Sequence, residues 1–362
     1  MALKNLRTQL TDIDRRILDL VAERQSVVER IGELKRAEGR ATRDFGREKR
    51  VIEDARQQAE KLGIPPPLAQ GLMQLLIRSS LTRQERARVR AEGHGHGQRA
   101  LVIGGSGQMG RWFAGFLDSQ GFDVTVADPA AGTGEFQHYA DWRRTPDDFE
   151  LTVIATPIGV TADILLQIAE TGRKGLVFDV GSLKAPLERG LRQMAAKGVR
   201  VTSLHPMFGP DTELLSGRHV LFLEVGVPEA TQQAQQLFAS TMAQRIEMPL
   251  EDHDRLIAYV LGLSHALNIA FFTALAGSGE TVPKLAELSS TTFDAQLGVA
   301  AKVAEENPHL YFEIQAQNPH GLAPLRDLAE AVERIAEVVR TGDEDAFVEL
   351  MQQGREYFAR RR

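Results

Sequence analysis

The chain has 362 residues, 43% hydrophobic and 25% charged, with a formal net charge of -6 at pH 7 and no cysteine. That length fits two or three domains of ordinary globular composition, and that charge gives no reason to expect nucleic acid. Without cysteine, disulfides and thiolate metal sites are excluded. The stretch Met1 to Leu10 lacks a signal layout and no uninterrupted apolar run reaches membrane-spanning length, so a cytoplasmic location without membrane contact is expected.

The first segment is a long helix with a heptad seam: Leu3, Leu6, Leu10, Ile13, Ile17, Leu20, Val27, Ile31 and Leu34 recur at steps of three and four. Arg24 occupies a seam position, and Lys35 lies eleven residues on. At about 100° per residue the two cations share nearly one face. Cations turned toward a helical core need anions, either a glutamate that sets register or an anionic ligand. Arg7 lies well off that face, so it reaches the same anion only from a second chain. Gly39 ends this helix, and a second opens across Arg43 to Glu48 with Asp44 and Glu48 one turn apart. Gly63-Ile64-Pro65-Pro66-Pro67 stops it. A third helix runs from Leu68 to about Arg90, with Ser80 and Gln84 one turn apart. Three such helices are too thin a bundle for a monomer.

Arg7, Arg24, Lys35, Asp44, Arg47, Glu48, Ser80 and Gln84 stand in the order and spacing of the site of the all-helical chorismate mutases, which the first ninety or so residues resemble. The resemblance implies an intertwined dimer in which Arg7 serves the partner's site. It implies that Arg24, Arg47 and the partner's Arg7, with Ser80, hold the carboxylates of chorismate. Lys35 and Gln84 then contact the ether oxygen, and Glu48, with Asp44 nearby, the ring hydroxyl. The rearrangement to prephenate needs no nucleophile, only a held conformer and stabilised charge on the ether oxygen.

Arg83 to Gln98, containing Gly93-His94-Gly95-His96-Gly97, reads as a helix end and a flexible linker, and no metal site is expected there. Ala100 to Ile103 is a buried strand, and Gly104-Gly105-Ser106-Gly107-Gln108-Met109-Gly110 follows it. Gly105, Gly107 and Gly110 fit G-x-G-x-x-G: a tight turn, close approach to a pyrophosphate, and helix packing on the sheet. A helical pattern from Arg111 to Gln120 and a strand from Phe122 to Ala127 lead to Asp128, placed to bond the ribose hydroxyls of NAD and to repel the extra phosphate of NADP.

Leu151 to Ala155 is the next buried strand, Thr156-Pro157 a turn at the cofactor edge, and Val160 to Ala169 a helix. Leu176 to Val180 precedes Gly181-Ser182-Leu183-Lys184, and Val199 to Leu204 delivers His205-Pro206-Met207-Phe208-Gly209-Pro210-Asp211. This alternation predicts a doubly wound parallel sheet with ligand residues at its strand ends. His219 to Glu224 and Arg245 to Met248 read as closing strands. From Asp252 the chain is helical, with Leu256 to Ala276 strongly apolar.

The His205 segment resembles that of the prephenate dehydrogenases. Together with the first domain, the whole chain resembles the bifunctional chorismate mutase/prephenate dehydrogenases of tyrosine biosynthesis. The resemblance implies a homodimer, chorismate and prephenate as substrates, NAD as cofactor and tyrosine as a candidate effector. It assigns His205 to the ring hydroxyl of prephenate, Ser182 to orienting His205 beside the nicotinamide, and Lys184, Asp211 and His265 to the substrate pocket; on so apolar a helix His265 also reads as a satisfied core histidine. Lys302 aligns where the family usually has an arginine gripping a prephenate carboxylate. A lysine keeps the charge and loses the bidentate fork; the other reading makes Lys302 a solvated helix residue, with a cation such as Arg326 in its place.

The expected architecture is therefore multidomain: an all-α mutase domain (1–92), a linker (93–98), an α/β Rossmann-type NAD domain (99–250) and an all-α dimerisation and substrate domain (251–362). Two alternatives remain open: action on the 4-amino-4-deoxy analogues, and a mutase joined to a degenerate tyrosine-sensing dehydrogenase module.

Overall fold

A computed structural model describes residues 1–360; positions 361 and 362, the end of the expected C-terminal domain, lie outside the described residues. Two bodies emerge from the packing. The first comprises Met1–Thr156, Asp163–Gly181 and Gly190–Met248, and the second Pro157–Ala162, Ser182–Arg189 and the chain from Pro249 onward.

The first body opens with α1 (Ala2–Ala37), α2 (Phe45–Leu62) and α3 (Pro66–Ala91). Asp44 caps α2, its carboxylate accepting from Arg47 N at 2.9 Å, and Gly63 ends the helix in the left-handed region at φ 68°. Val28, Ala59, Leu76, Leu81 and Val89 are buried where the helices meet. The seam of α1 is not: Leu6 is 61% exposed, Leu20 63% and Leu34 61%.

Residues 93–98, expected to be flexible, are docked on the domain that follows. Gly95 N bonds Gln120 O and Gly97 N bonds Gly121 O, at 3.0 and 2.8 Å. A Cβ on Gly95 would lie 2.3 Å from Phe122 N, and one on Gly93 2.5 Å from Gln120 O, so both positions require glycine for close approach.

The α/β domain runs β1 (Arg99–Ile103), α4 (Gln108–Ser119), β2 (Asp123–Ala127), β3 (Gln137–Tyr139), β4 (Leu151–Ile154), α5 (Ile158–Thr171), β5 (Leu176–Asp179), α6 (Glu188–Ala196), β6 (Arg200–Pro206), β7 (His219–Glu224), α7 (Pro228–Gln236) and β8 (Gln244–Pro249). The strands form one sheet in the order β3-β2-β1-β4-β5-β6-β7-β8. Pairing is parallel from β3 to β6, and β7 runs antiparallel to β6 with His205 opposite Leu221. The sheet is thus mixed rather than wholly parallel, because the short return from β6 to β7 has no crossover helix. The edge strand β3 escapes sequence reading, being short and without an apolar run. Phe113, Phe178, Phe222 and Phe238 fill the core and are at most 1% exposed; each contributes roughly 1.5–3 kcal/mol by burial.

The second body holds α8 (Leu250–Ile257), a π-helical stretch at Ala258–Leu263, and α9 (Ser264–Gly277), then α10 (Val282–Glu287), α11 (Thr291–Glu305), α12 (Pro308–Ala316), α13 (Leu322–Thr341) and α14 (Glu344–Ala359). Leu250–Gly277 is one continuous 28-residue helical run, long and apolar enough, at mean hydropathy 1.6, to cross a membrane. Its polar groups are used inside the body: Asn318 Nδ2 donates to Asp254 O, Gln315 Nε2 to Gly262 O, and Gln296 Nε2 to Asn268 Oδ1, at 2.8–2.9 Å. Leu256, Tyr259, Val260 and Leu267 on the same run are exposed.

Candidate active site

Among the helices, α1 and α3 bring several expected mutase residues together. Arg24 Nη1 donates to Ser80 Oγ at 2.6 Å and to Leu76 O at 3.2 Å. Burial lowers the pKa of the Arg24 guanidinium from its ordinary value. Gln84 Nε2 donates to Val28 O at 3.2 Å, and Ser80 and Gln84 are both buried. Lys35 Nζ donates to Thr42 O at 2.6 Å, fastening the turn before α2. That turn presents Arg43, whose Nε and Nη2 each donate to one oxygen of Glu48 at 2.9 Å.

Asp44 and Arg47 are exposed. The Arg47 N–H holds the Asp44 carboxyl below its usual range, helped by the charges of Lys35 and Arg50, so Asp44 serves first as the cap of α2. Arg7 is exposed on the N-terminal part of α1, away from these groups in sequence. Of the expected set, Gln84 alone borders the cleft of about 380 Å³ between α1 and α3.

At the glycine-rich turn the positive φ of 85° belongs to Gly104, just ahead of the first glycine of the motif. Gly105 is required for another reason: a Cβ there would lie 2.4 Å from Val126 Cγ1. Gly110 packs as expected, since its Cβ would fall 2.1 Å from Gly104 O. Helix α4 starts at Gln108, with Met109 in its first turn. Its N-cap, Gly107, offers no side chain to the first N–H groups, so the helix end faces outward with open donors. Asp128 at the end of β2 accepts from Ser106 N at 3.1 Å and Ala130 N at 2.8 Å, which places its carboxylate against the same turn. Thr156 and Pro157 follow β4 at the neighbouring strand end.

His205 stands on β6 and is 3% exposed. Two residues earlier on the same strand face, Ser203 Oγ donates to Asp179 Oδ2 at 2.5 Å, and Gly181 N donates to Asp179 Oδ1 at 2.9 Å. Beyond His205 the chain folds over α4: Trp112 Nε1 donates to Thr212 O at 3.0 Å, and the rings of Trp112 and Phe208 lie 5.0 Å apart. Asp211 is exposed and borders a cavity of about 500 Å³ with Glu85, Arg90, Arg111, Trp112 and Phe116.

Ser182, Lys184 and His265 belong to the second body. Lys184 is 1% exposed, and its backbone N–H, with that of Ala185, is received by the carboxylate of Asp254 at 2.7–3.2 Å. His253 Nδ1 lies 2.7 Å from Asp254 Oδ1. Burial pushes the Asp254 carboxyl up, but the His253 contact and the Ala185 and Lys184 N–H groups outweigh it and hold the group below its usual range. His265 stacks on Tyr311 at 4.0 Å between ring centroids. Its Nδ1 is buried with no hydrogen-bond partner among the described residues, and burial lowers its pKa, favouring the neutral ring. A core histidine normally satisfies both ring nitrogens, which this one does not among the described residues. Lys302, in the last turn of α11, and Arg326 on α13 are exposed.

Sequence reading passed over Arg43, Asp179, Ser203 and the His253–Asp254 pair. Only His253–Asp254 carries a sequence signal, a histidine and an acid side by side where α8 turns apolar.

Three family matches tile the chain: chorismate mutase type II over residues 6–85, the prephenate dehydrogenase nucleotide-binding domain over 114–239, and the prephenate dehydrogenase dimerization domain over 249–353. A T-protein of Enterobacter agglomerans is 26% identical, across 98% of this chain and 92% of its own. A 4-amino-4-deoxyprephenate dehydrogenase of Streptomyces pristinaespiralis is 32% identical, across 70% of this chain and 88% of its own. The fold also matches the crystal structure of prephenate dehydrogenase from A. aeolicus in complex with hydroxyphenyl propionate and NAD+. That match has a TM-score of 0.60 at 18% identity and covers 72% of this chain and 98% of the other. With a type II mutase region ahead of both halves of a prephenate dehydrogenase, the chain belongs to the bifunctional chorismate mutase/prephenate dehydrogenase family, the T-proteins.

Proposed function

We propose that α1–α3 rearrange chorismate to prephenate and that the rest of the chain oxidatively decarboxylates prephenate to 4-hydroxyphenylpyruvate with NAD. The observation that carries this reading is the order of the three family regions along one chain, matched end to end by a T-protein.

In the mutase, Arg24 with Ser80 receives one carboxylate of the bound dianion, and Arg47 of the same chain together with the second copy's Arg7 completes its neutralisation. The exposed seam of α1 supports the second copy, since a helix of about 54 Å with a solvated apolar stripe is stable only against a partner surface. Lys35 and Gln84 place donors where negative charge develops on the ether oxygen, and Glu48 accepts from the ring hydroxyl. Such fixed donors need no reorganisation as the bond breaks.

The turn at Gly104–Gly110 fits a dinucleotide: the close-packed glycines keep side chains out of it, and the uncapped end of α4 offers N–H groups to a pyrophosphate. Gly105, Gly107, Gln108, Met109 and Gly110 would hold the phosphates and Asp128 the ribose, with Thr156 and Pro157 at the adjoining edge. Bound there, NAD supplies the hydride acceptor. His205 accepts the proton of the ring hydroxyl as a neutral imidazole, which an imidazolium could not do. Ser182 orients it, while Lys184, Asp211, His265 and Lys302 contribute to the prephenate site.

The 32% identity to a 4-amino-4-deoxyprephenate dehydrogenase favours one second reading, the amino analogues as substrates. The test follows reduced-nicotinamide absorbance. Wild type with chorismate and NAD gives signal; Arg24→Ala gives signal only when prephenate is supplied. Silence with prephenate, and turnover of the amino analogue, would overturn the first reading for the second. Tyrosine added to the same assay tests its role as effector.

A further inference from the structure

Arg43 lies in the turn before α2, outside the residues that the mutase resemblance assigns. Its Nε and Nη2 meet both oxygens of Glu48 in a bidentate fork, each bond 2.9 Å. The remaining nitrogen, Nη1, donates to Ser216 Oγ at 2.7 Å, 173 positions later in the α/β domain. The ring of Phe45 lies against the guanidinium, with the charged carbon 4.2 Å from its centroid. The side chains are largely covered, Arg43 at 30% exposure and Glu48 at 17%.

We propose that Arg43 is a positioning residue for Glu48 and that Ser216 anchors it, so that one wall of the mutase pocket is preorganised by the dehydrogenase half of the chain. The proposal rests on the mutase reading above. A glutamate has three free torsions, and a planar fork on both oxygens selects one arrangement of them. Each oxygen keeps lone pairs for a substrate hydroxyl.

The anchor is itself held. Glu85, the neighbour of Gln84 on α3, accepts from Leu215 N at 2.8 Å and Met242 N at 2.5 Å. The Leu215–Ser216 pair is therefore tied to α3, which carries Ser80 and Gln84, and through Arg43 to α2, which carries Glu48. A shift of this segment is therefore passed both to α2, with Glu48, and to α3, with Ser80 and Gln84.

The test uses full-length protein, with chorismate loss and prephenate-dependent NAD reduction measured separately. Arg43→Ala is expected to lower mutase kcat about 10- to 100-fold, the scale of a misplaced group, with a smaller change in KM. Arg43→Lys recovers part of it, since a lysine cannot form the fork. Ser216→Ala lowers mutase kcat severalfold and leaves prephenate turnover unchanged. Wild-type mutase kcat in Arg43→Ala or in Ser216→Ala would overturn the proposal, as would equal loss of both activities in Arg43→Ala. A wild-type protein that leaves chorismate untouched would instead overturn the mutase reading on which it rests.

Discussion

Replacing Glu85 tests how the mutase helices are joined to the α/β domain. Its carboxylate is 4% exposed and accepts two backbone N–H groups, Leu215 and Met242. In Glu85→Ala both donors lose their acceptor, at about 1–3 kcal/mol each, partly offset because a buried carboxyl no longer has to be desolvated. A net loss of about 2–4 kcal/mol is expected. Glu85→Gln keeps one acceptor oxygen but turns an NH2 toward the other donor, so about 1–2 kcal/mol is lost. Burial raises the Glu85 pKa above 4.5, and the two N–H bonds only partly oppose it. The folded state therefore favours the proton more than the unfolded state does. The stability this contributes is full below pH 4.5 and fades as pH rises through the higher folded value. Because glutamine does not titrate, the Gln penalty should be larger at pH 4 than at pH 7.5. Denaturant midpoints read by tryptophan fluorescence suit this test, because Trp112 bonds Thr212 O in the segment that Glu85 holds. An alanine variant within about 0.5 kcal/mol of wild type would refute the reasoning.

Three further outcomes are expected. His205→Asn should cut prephenate turnover about 10²- to 10⁴-fold while NAD affinity by titration stays within about twofold; equal loss of both would make His205 structural. Gly95→Ala forces a Cβ against backbone 2.3 Å away and should cost about 1–3 kcal/mol in thermal unfolding, and an unchanged melting temperature would mean that the segment is as free as its composition suggested. His265 has a pKa below its usual 6.5, so its contribution is full above pH 6.5 and is lost as pH falls through the lower folded value. His265→Phe keeps the stack on Tyr311 and should melt higher than wild type, relative to neutral pH, on acidification; parallel melting curves would contradict this.

Much of the candidate site's local arrangement was legible because its signals are short-range. Arg24 and Lys35 share a face by helical period alone, and Ser80 and Gln84 are one turn apart on a single helix; the structure joins Arg24 to Ser80 across 56 positions. The glycine turn was legible as a turn, but glycine is also demanded at Gly104, which has φ 85° and where a Cβ would lie 2.5 Å from Ala155 O in the segment after β4, a neighbour that no local pattern reveals. In the sequence Arg43 is one of several charges between Arg40 and Arg50. Its role depends on Glu48 one turn away and Ser216 in another domain, and only the Glu48 spacing is local.

Periodicity, turn chemistry and strand runs, all set by neighbours within a few residues, determine the three opening helices, the glycine-rich strand-turn-helix and the apolar C-terminal helices. The seam of α1 even announces a surface that its own chain leaves uncovered. The tertiary structure alone decided that β7 runs antiparallel to β6, that the 93–98 segment is docked, that Glu85 receives Leu215 and Met242, and that Asp254 receives the backbone of Lys184 and Ala185. Each of these joins groups up to 157 positions apart or depends on which backbone donors burial leaves without water, and no local pattern encodes that pairing.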